Sequence, residues 1–139
     1  MWAIYALVSA LFASLVAIFG KIGLESIDST LATTVRAVIM AVFLLLVASM
    51  LGKSSGFSLE SLGTRAWGYI ALSGIAGALS WLFYFFAIKQ GMVSGVVALD
   101  KLSIVFAVLL AALLFGETVG AKGIIGSLLM VAGAIMIAL

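Results

Sequence analysis

The sequence predicts an all-α integral membrane protein with five spanning helices. Three observations carry this. Of 139 residues, 66% are hydrophobic and 9% charged, whereas soluble domains run about 45–50% apolar and about 25% charged. Too little polar surface exists to cover a globule in water. The apolar residues also fall into five runs, each near the ~20 residues that a helix needs to cross ~30 Å of hydrocarbon. None of the runs alternates apolar with polar residues, which rules out barrel strands. A backbone in lipid must satisfy its own hydrogen bonds, so each run is a helix. The composition excludes other chemistries too. The chain has no Cys, hence no disulfide and no thiolate metal site. It has no His, which removes the usual zinc ligand and the usual neutral-pH proton shuttle. The net charge of +2 comes from dispersed residues and offers no basic patch to nucleic acid. No metal and no cofactor is expected.

The first run, Trp2–Gly20, lacks the basic region that opens a secretory signal and is too long for its apolar core, so it is read as a retained span. It sets Ala3, Ala6, Ala10, Ala13, Ala17 and Gly20 at steps of three and four. Such a small-residue stripe lets helix backbones approach closely in lipid. "KIGLESIDST" follows, where Glu25 and Asp28 suit a loop and Asp28 or Ser29 can cap the second run, Leu31–Leu51. Arg36 lies five residues into that run, roughly 8 Å of helix rise. Snorkelling to the interface and a functional place inside the bundle both fit it. "GKSSGFSLESLGTR" reads as the longest loop. It holds Lys53, Glu60 and Arg65 as solvated charges, with Phe57, Leu59 and Leu62 resting on the interface.

The third run, Ala66–Ile88, carries a small-residue face of Ser73, Gly77 and Ala78. Trp67 and Tyr69 stand at its start and "WLFYFFAI" at its far end. Trp67 and Tyr84 are 17 residues apart, roughly 25 Å of helix, which suits aromatic belts at the two interfaces. Phe83, Phe85 and Phe86 supply bulk towards lipid. Trp81 and Tyr84 share a face, and two readings fit them: belt residues, or the wall of a cavity on which a substrate stacks. Lys89 and Lys122 sit at span ends, where long side chains snorkel, and Lys21 is read the same way. The fifth run, Gly120–Leu139, shows Gly123, Gly126, Ser127, Gly133 and Ala134 on a similar face. These stripes, with Ala6, Ala10, Ala13, Ala17, Gly77, Gly126 and Gly133 foremost, are assigned to helix packing within or between chains. The run ends the sequence, so no soluble domain is expected. The chain is read as one membrane domain over residues 1–139.

The fourth run, Met92–Gly116, contains Asp100 and Lys101 side by side. If the helix starts at Met92, Asp100 is eight residues in, roughly 12 Å deep. If it starts at Asp100, Leu102–Gly116 supplies 15 residues, roughly 22 Å, which is short of a span. A broken or locally unwound segment resolves both, tolerated by Ser94 and Gly95. The chain has no proline, so a break must rest on Gly or a polar site. Adjacent helical residues point about 100° apart. Each charge is therefore expected to seek another partner, Asp100 with Arg36 and Lys101 in a cavity. Ionisable groups inside a membrane mark pathways or coupling sites; the competing reading is a structural ion pair. Ser103 is a weaker cavity candidate. Glu117 is a coupling candidate, or else a cap or interface residue at the end of the run.

Five spans put the termini on opposite sides. One side then holds Lys53, Arg65 and Lys122, and the other Lys21, Arg36, Lys89 and Lys101. Three basic residues against four give the positive-inside rule little to act on. Discounting Arg36 and Lys101 favours a cytoplasmic amino terminus. Transporters are often built from inverted repeats with the site at their interface. A single odd-span unit provides such a pair by forming an antiparallel homodimer, and a homodimer is expected here.

"LFASLVAIFGKIGLESIDSTLATTVRAVIM", "LSWLFYFFAIKQG" and "VVALDKLSIVFAVLLAALLFGE" resemble the EamA-type members of the drug/metabolite transporter superfamily, closest to its short, five-span, single-repeat form. The resemblance covers nearly the whole chain; the "DKLS" block followed by an apolar helix and "GE" is its most specific part. It implies one of two inverted five-helix repeats around a cavity, alternating access, and export of metabolites or drugs. It implies that the first four helices line the cavity and the fifth lies towards the periphery. Proline often precedes the "DKLS" block in this family, and Ala98 stands there here, so the break is expected to be milder or to rest on Gly95. The expected function is a small secondary exporter in the cytoplasmic membrane of a prokaryote. Its partners are lipid, a second copy and a small-molecule substrate, with Asp100, Lys101, Arg36, Trp81, Tyr84 and Ser103 at the cavity and Asp100 or Glu117 coupling protons. The alternatives are a flippase for lipid or lipid-linked sugar, and a non-transporting accessory subunit. No nucleophile–base pair or metal cluster points to an enzyme.

Overall fold

A computed structural model gives the structure of residues 2–53 and 63–139; Phe57, Leu59, Glu60 and Leu62, expected in the longest loop, lie outside the described residues. Six helices follow in order: α1 Trp2–Gly23, α2 Ser29–Met50, α3 Thr64–Gln90, α4 Val93–Asp100, α5 Ser103–Phe115 and α6 Ala121–Ala138. There is no strand among the described residues. Taken together, α4 and α5 form one stretch, Val93–Phe115, and with it five helices are long and apolar enough to cross a membrane. The helices exceed several of the apolar runs because helix ends accept polar residues. Arg65, expected in a loop, stands in the first turn of α3.

The helix ends show why the chain turns where it does. Asp28 caps α2, its carboxylate accepting hydrogen bonds from the Thr30 and Leu31 amides at 2.9 and 3.1 Å. These satisfy two of the amides that a helix start leaves open. Ser29, the other capping candidate, is the first helical residue and is buried. Gly116 stops α5 in the left-handed region at φ 65°, which a side chain disfavours.

The chain divides into two compact units. One takes α1 through Ile22 together with Ala87–Leu139; the other is Gly23–Phe86. In the first unit α6 packs along α4 and more lightly on α5. Gly95 lies against the end of α6: a Cβ there would stand at ordinary contact distance, 3.4 Å, from Ala138 Cα. Ala17, Ile88, Ala98 and Ala134 are this unit's buried apolar residues, and Leu24 and Phe85 are those of the second unit. On α1 the small-residue stripe is buried only at Ala17; Ala6, Ala10 and Ala13 are exposed. Gly126 is exposed too, Gly77 and Gly133 are half-buried, and a Cβ on any of the three would meet nothing within 4 Å. Most large apolar side chains of the helices likewise point outwards, as lipid-facing or partner-facing surfaces do.

Candidate functional site

In the first unit the fourth span is interrupted at the charged pair. α4 ends at Asp100, Lys101 and Leu102 form a turn, and α5 starts at Ser103. By ~1.5 Å per residue, α4 covers about 12 Å and α5 about 20 Å, and neither alone crosses ~30 Å of hydrocarbon. The break is tighter than an unwound loop. The Lys101 amide donates to the Ala98 carbonyl at 3.2 Å and Leu102 to Leu99 at 3.0 Å, then Ile104 to Lys101 at 3.1 Å and Val105 to Leu102 at 3.0 Å. These are i to i−3 bonds, a 3₁₀ turn set into an α-helix, a common place for a hinge. Lys101 and Leu102 keep right-handed dihedrals. Gly95 is not the break. It lies inside α4, buried against α6.

One expectation about the pair is corrected here. Asp100 and Lys101 face each other, with Lys101 Nζ 3.3 Å from Asp100 Oδ2. The four-carbon stem of lysine lets its ammonium swing back across the angle that separates the two Cβ atoms. Asp100 therefore has Lys101 as a partner. The pair is open, with side chains 38% and 49% exposed for Asp100 and Lys101. Ser103 follows it at the exposed start of α5. Glu117 lies just past Gly116; its amide turns back to the Ala111 carbonyl at 3.4 Å. The Glu117 carboxylate is exposed, so the cap is made by backbone and glycine rather than by that side chain.

Lys21 does more than reach for the interface. Its ammonium donates to the carbonyls of Ile88, Gly91 and Lys89 at 2.7, 3.0 and 3.4 Å. Those carbonyls close the carboxyl end of α3, which a cation suits by charge as well as by hydrogen bonding. The residues involved are 67 to 70 positions apart, and nothing local announces the contact.

In the second unit, α2 and α3 line a groove of about 710 Å³. Arg36 lines it between Thr34 and Ala37, its guanidinium carbon 3.7 Å from the centre of the Trp81 ring and 5.5 Å from that of Phe85. This is close cation–π geometry. Trp81 meets Tyr84 edge to face at 5.4 Å and Phe85 at 6.0 Å, with Tyr84 and Phe85 6.2 Å apart. Trp81 and Tyr84 thus share a face, and Trp81 lines the groove. Phe85 departs from the expected lipid-facing role, being buried at 3% exposure, while Phe83 is 67% exposed. The i to i+4 step from Trp81 to Phe85 was the available signal for one aromatic wall. Towards α2 the groove presents Thr33 and Thr34. Their hydroxyls donate to the Ser29 and Thr30 carbonyls at 2.7 and 2.9 Å. Beyond Arg36 its lining is apolar, from Met40 and Leu44 on α2 to Ile75 and Ala78 on α3. No group of His, Cys, Asp and Glu able to hold a metal occurs among the described residues.

Comparison with known proteins bears on what such a chain does. The profile of the EamA-like transporter family matches residues 1–139. A protein of Sinorhizobium sp., named "Uncharacterized transporter in cobO 3'region", is 38% identical over 138 residues, which cover 99% of this chain and 96% of that protein. No solved structure matches.

Proposed function

Since the chain belongs to the EamA-like transporter family, we propose that it is a small secondary transporter that exports a small metabolite or drug-like compound by alternating access. It works as a homodimer in the cytoplasmic membrane of a prokaryote, and it is not an enzyme. The observation that carries the mechanism is the interrupted fourth span. Two half-length helices meet at a 3₁₀ turn, and an ion pair stands on that turn. Intramembrane charges are costly where they have no task, and a discontinuous helix is the usual device for placing charges near a transport site. The turn lets α4 and α5 change their angle while each stays a rigid, hydrogen-bonded helix. Asp100 is the coupling group, with Glu117 the second candidate, and Lys101 holds the Asp100 carboxylate until the solute or a proton competes for it. Arg36, Trp81 and Tyr84 contribute to the substrate cavity, and Ser103 lies beside the coupling pair.

Efflux from proteoliposomes, screened over candidate metabolites with and without a pH gradient, tests this. Asp100→Asn and Lys101→Met should each lower flux at least about tenfold, the loss of one charge-assisted contact in the transition between states. Unchanged flux in both variants makes the pair structural. Flux indifferent to the pH gradient removes proton coupling. A second reading, lipid flipping, is favoured by one feature: among the described residues the groove is an apolar channel lined by α2 and α3, a shape that suits an acyl chain. Movement of a labelled lipid in the same vesicles, with no solute flux, would decide for it.

A further inference from the structure

The α2–α3 groove has a chemistry more specific than that of a generic cavity. Its α2 wall is apolar from Ala37 to Leu44 and carries one fixed positive charge, Arg36, between that stretch and the hydroxyls of Thr30, Thr33 and Thr34. Arg36 makes no hydrogen bond or ion pair among the described residues; it lies over the Trp81 ring, near Phe85, and interacts electrostatically with Tyr84. Stacking occupies the face of a guanidinium and leaves its N–H edge, a planar fork of donors, directed elsewhere. That fork matches a carboxylate or phosphate oxygen pair. The neighbouring Thr33 and Thr34 hydroxyls have spent their protons on helix carbonyls, and neither competes with Arg36 as a donor. From Arg36 to Leu44 the α2 side of the groove rises eight residues, roughly 12 Å.

We infer that the groove binds an organic anion with an apolar body of roughly 12 Å, its carboxylate or phosphate on the edge of Arg36 and its body along Met40, Leu44, Ile75 and Ala78. Trp81 holds the guanidinium plane in place, so the fork is preorganised before the ligand arrives. The inference rests on the transporter reading for its purpose and names the class of substrate, but the site stands on its own geometry. The anion is either a water-soluble amphiphile or the head of an anionic phospholipid, which offers the same chemistry.

The full chain, with Trp2→Phe and Trp67→Phe leaving Trp81 as the one indole, is reconstituted in phosphatidylcholine nanodiscs and titrated with octanoate and octyl phosphate. A saturable change in Trp81 emission is expected with both. It should be absent with octanol and octyltrimethylammonium, which share the tail and lack the negative charge. Arg36→Gln should weaken octanoate binding at least about tenfold, and Arg36→Lys, which keeps the charge without the fork, should fall between. Retained helicity in both variants separates this from misfolding. Nanodiscs that contain phosphatidylglycerol distinguish the sources. Loss of octanoate binding there assigns the groove to lipid anions, and undiminished binding to soluble ones. Equal response to octanol, or identical octanoate affinity in Arg36→Gln, overturns the site. Solute flux that survives Arg36→Gln also overturns it while leaving the transporter reading in place. Arg36-dependent binding without any flux does the reverse.

Discussion

Two lysines with similar sequence surroundings have different tasks. Lys21 ends α1 and donates to three carbonyls at the end of α3; Lys101 reaches only its neighbour, Asp100, in an open position. The contacts to Ile88 and Gly91 are part-buried. Losing a part-buried hydrogen bond from a charged donor costs roughly 1–3 kcal/mol. Lys21→Met is therefore expected to lower the thermal unfolding midpoint in detergent clearly, with Lys21→Arg losing less because a cation remains. An unchanged midpoint in Lys21→Met would show that the carbonyls find other donors. An exposed pair contributes about 0–1 kcal/mol, so Asp100→Asn should leave the midpoint nearly where it was while transport falls. That contrast separates a coupling group from a structural one without appeal to the substrate.

At the level of elements, the five spans were readable because length and hydropathy are one-dimensional properties. The interruption of the fourth span was readable for the same reason, since the run was too long from Met92 and too short from Asp100. Its form was not. The tightening to i to i−3 bonds depends on the local backbone, and of the two forms expected, a milder break or one resting on Gly95, the structure has the milder. Gly95 instead serves packing, where α4 meets the end of α6. The pairing of Arg36 with Trp81 was also out of reach, because it needs the register of α2 against α3. The Gly95 contact gives a graded test. A Cβ there lies at ordinary contact distance from Ala138, so Gly95→Ala should be close to neutral. Gly95→Leu must push α6 away, and overpacking of this kind costs about 1–3 kcal/mol. Unfolding in detergent should follow that order. A tolerated leucine would mean that α4 and α6 separate freely.

For the whole molecule, the outward-facing apolar surface and the odd number of spans bear on the same question, how one short chain encloses a solute. Most large side chains of the helices are exposed, a surface that lipid or a second copy would cover. Copies inserted in opposite senses supply the inverted pair on which alternating access is commonly built. The basic residues permit both insertions, with Lys53, Arg65 and Lys122 on one side and Lys21, Arg36, Lys89 and Lys101 on the other. Arg36 is stacked on aromatic rings and Lys21 is held by carbonyls, so the side with four is less strongly biased than its count suggests. Orientation can then be set by small changes in loop charge. Lys89→Gln with Thr118→Lys should drive the amino terminus to the cytoplasm, and Lys53→Gln with Ser26→Lys should drive it out. Each biased variant alone should lose most transport, because every copy then points the same way, and co-expression of the two should restore it. A terminal tag on the unaltered chain should be accessible from both membrane faces. Full activity of either biased variant by itself would establish a parallel assembly, in which the second half of the cavity is related to the first by an axis along the membrane normal.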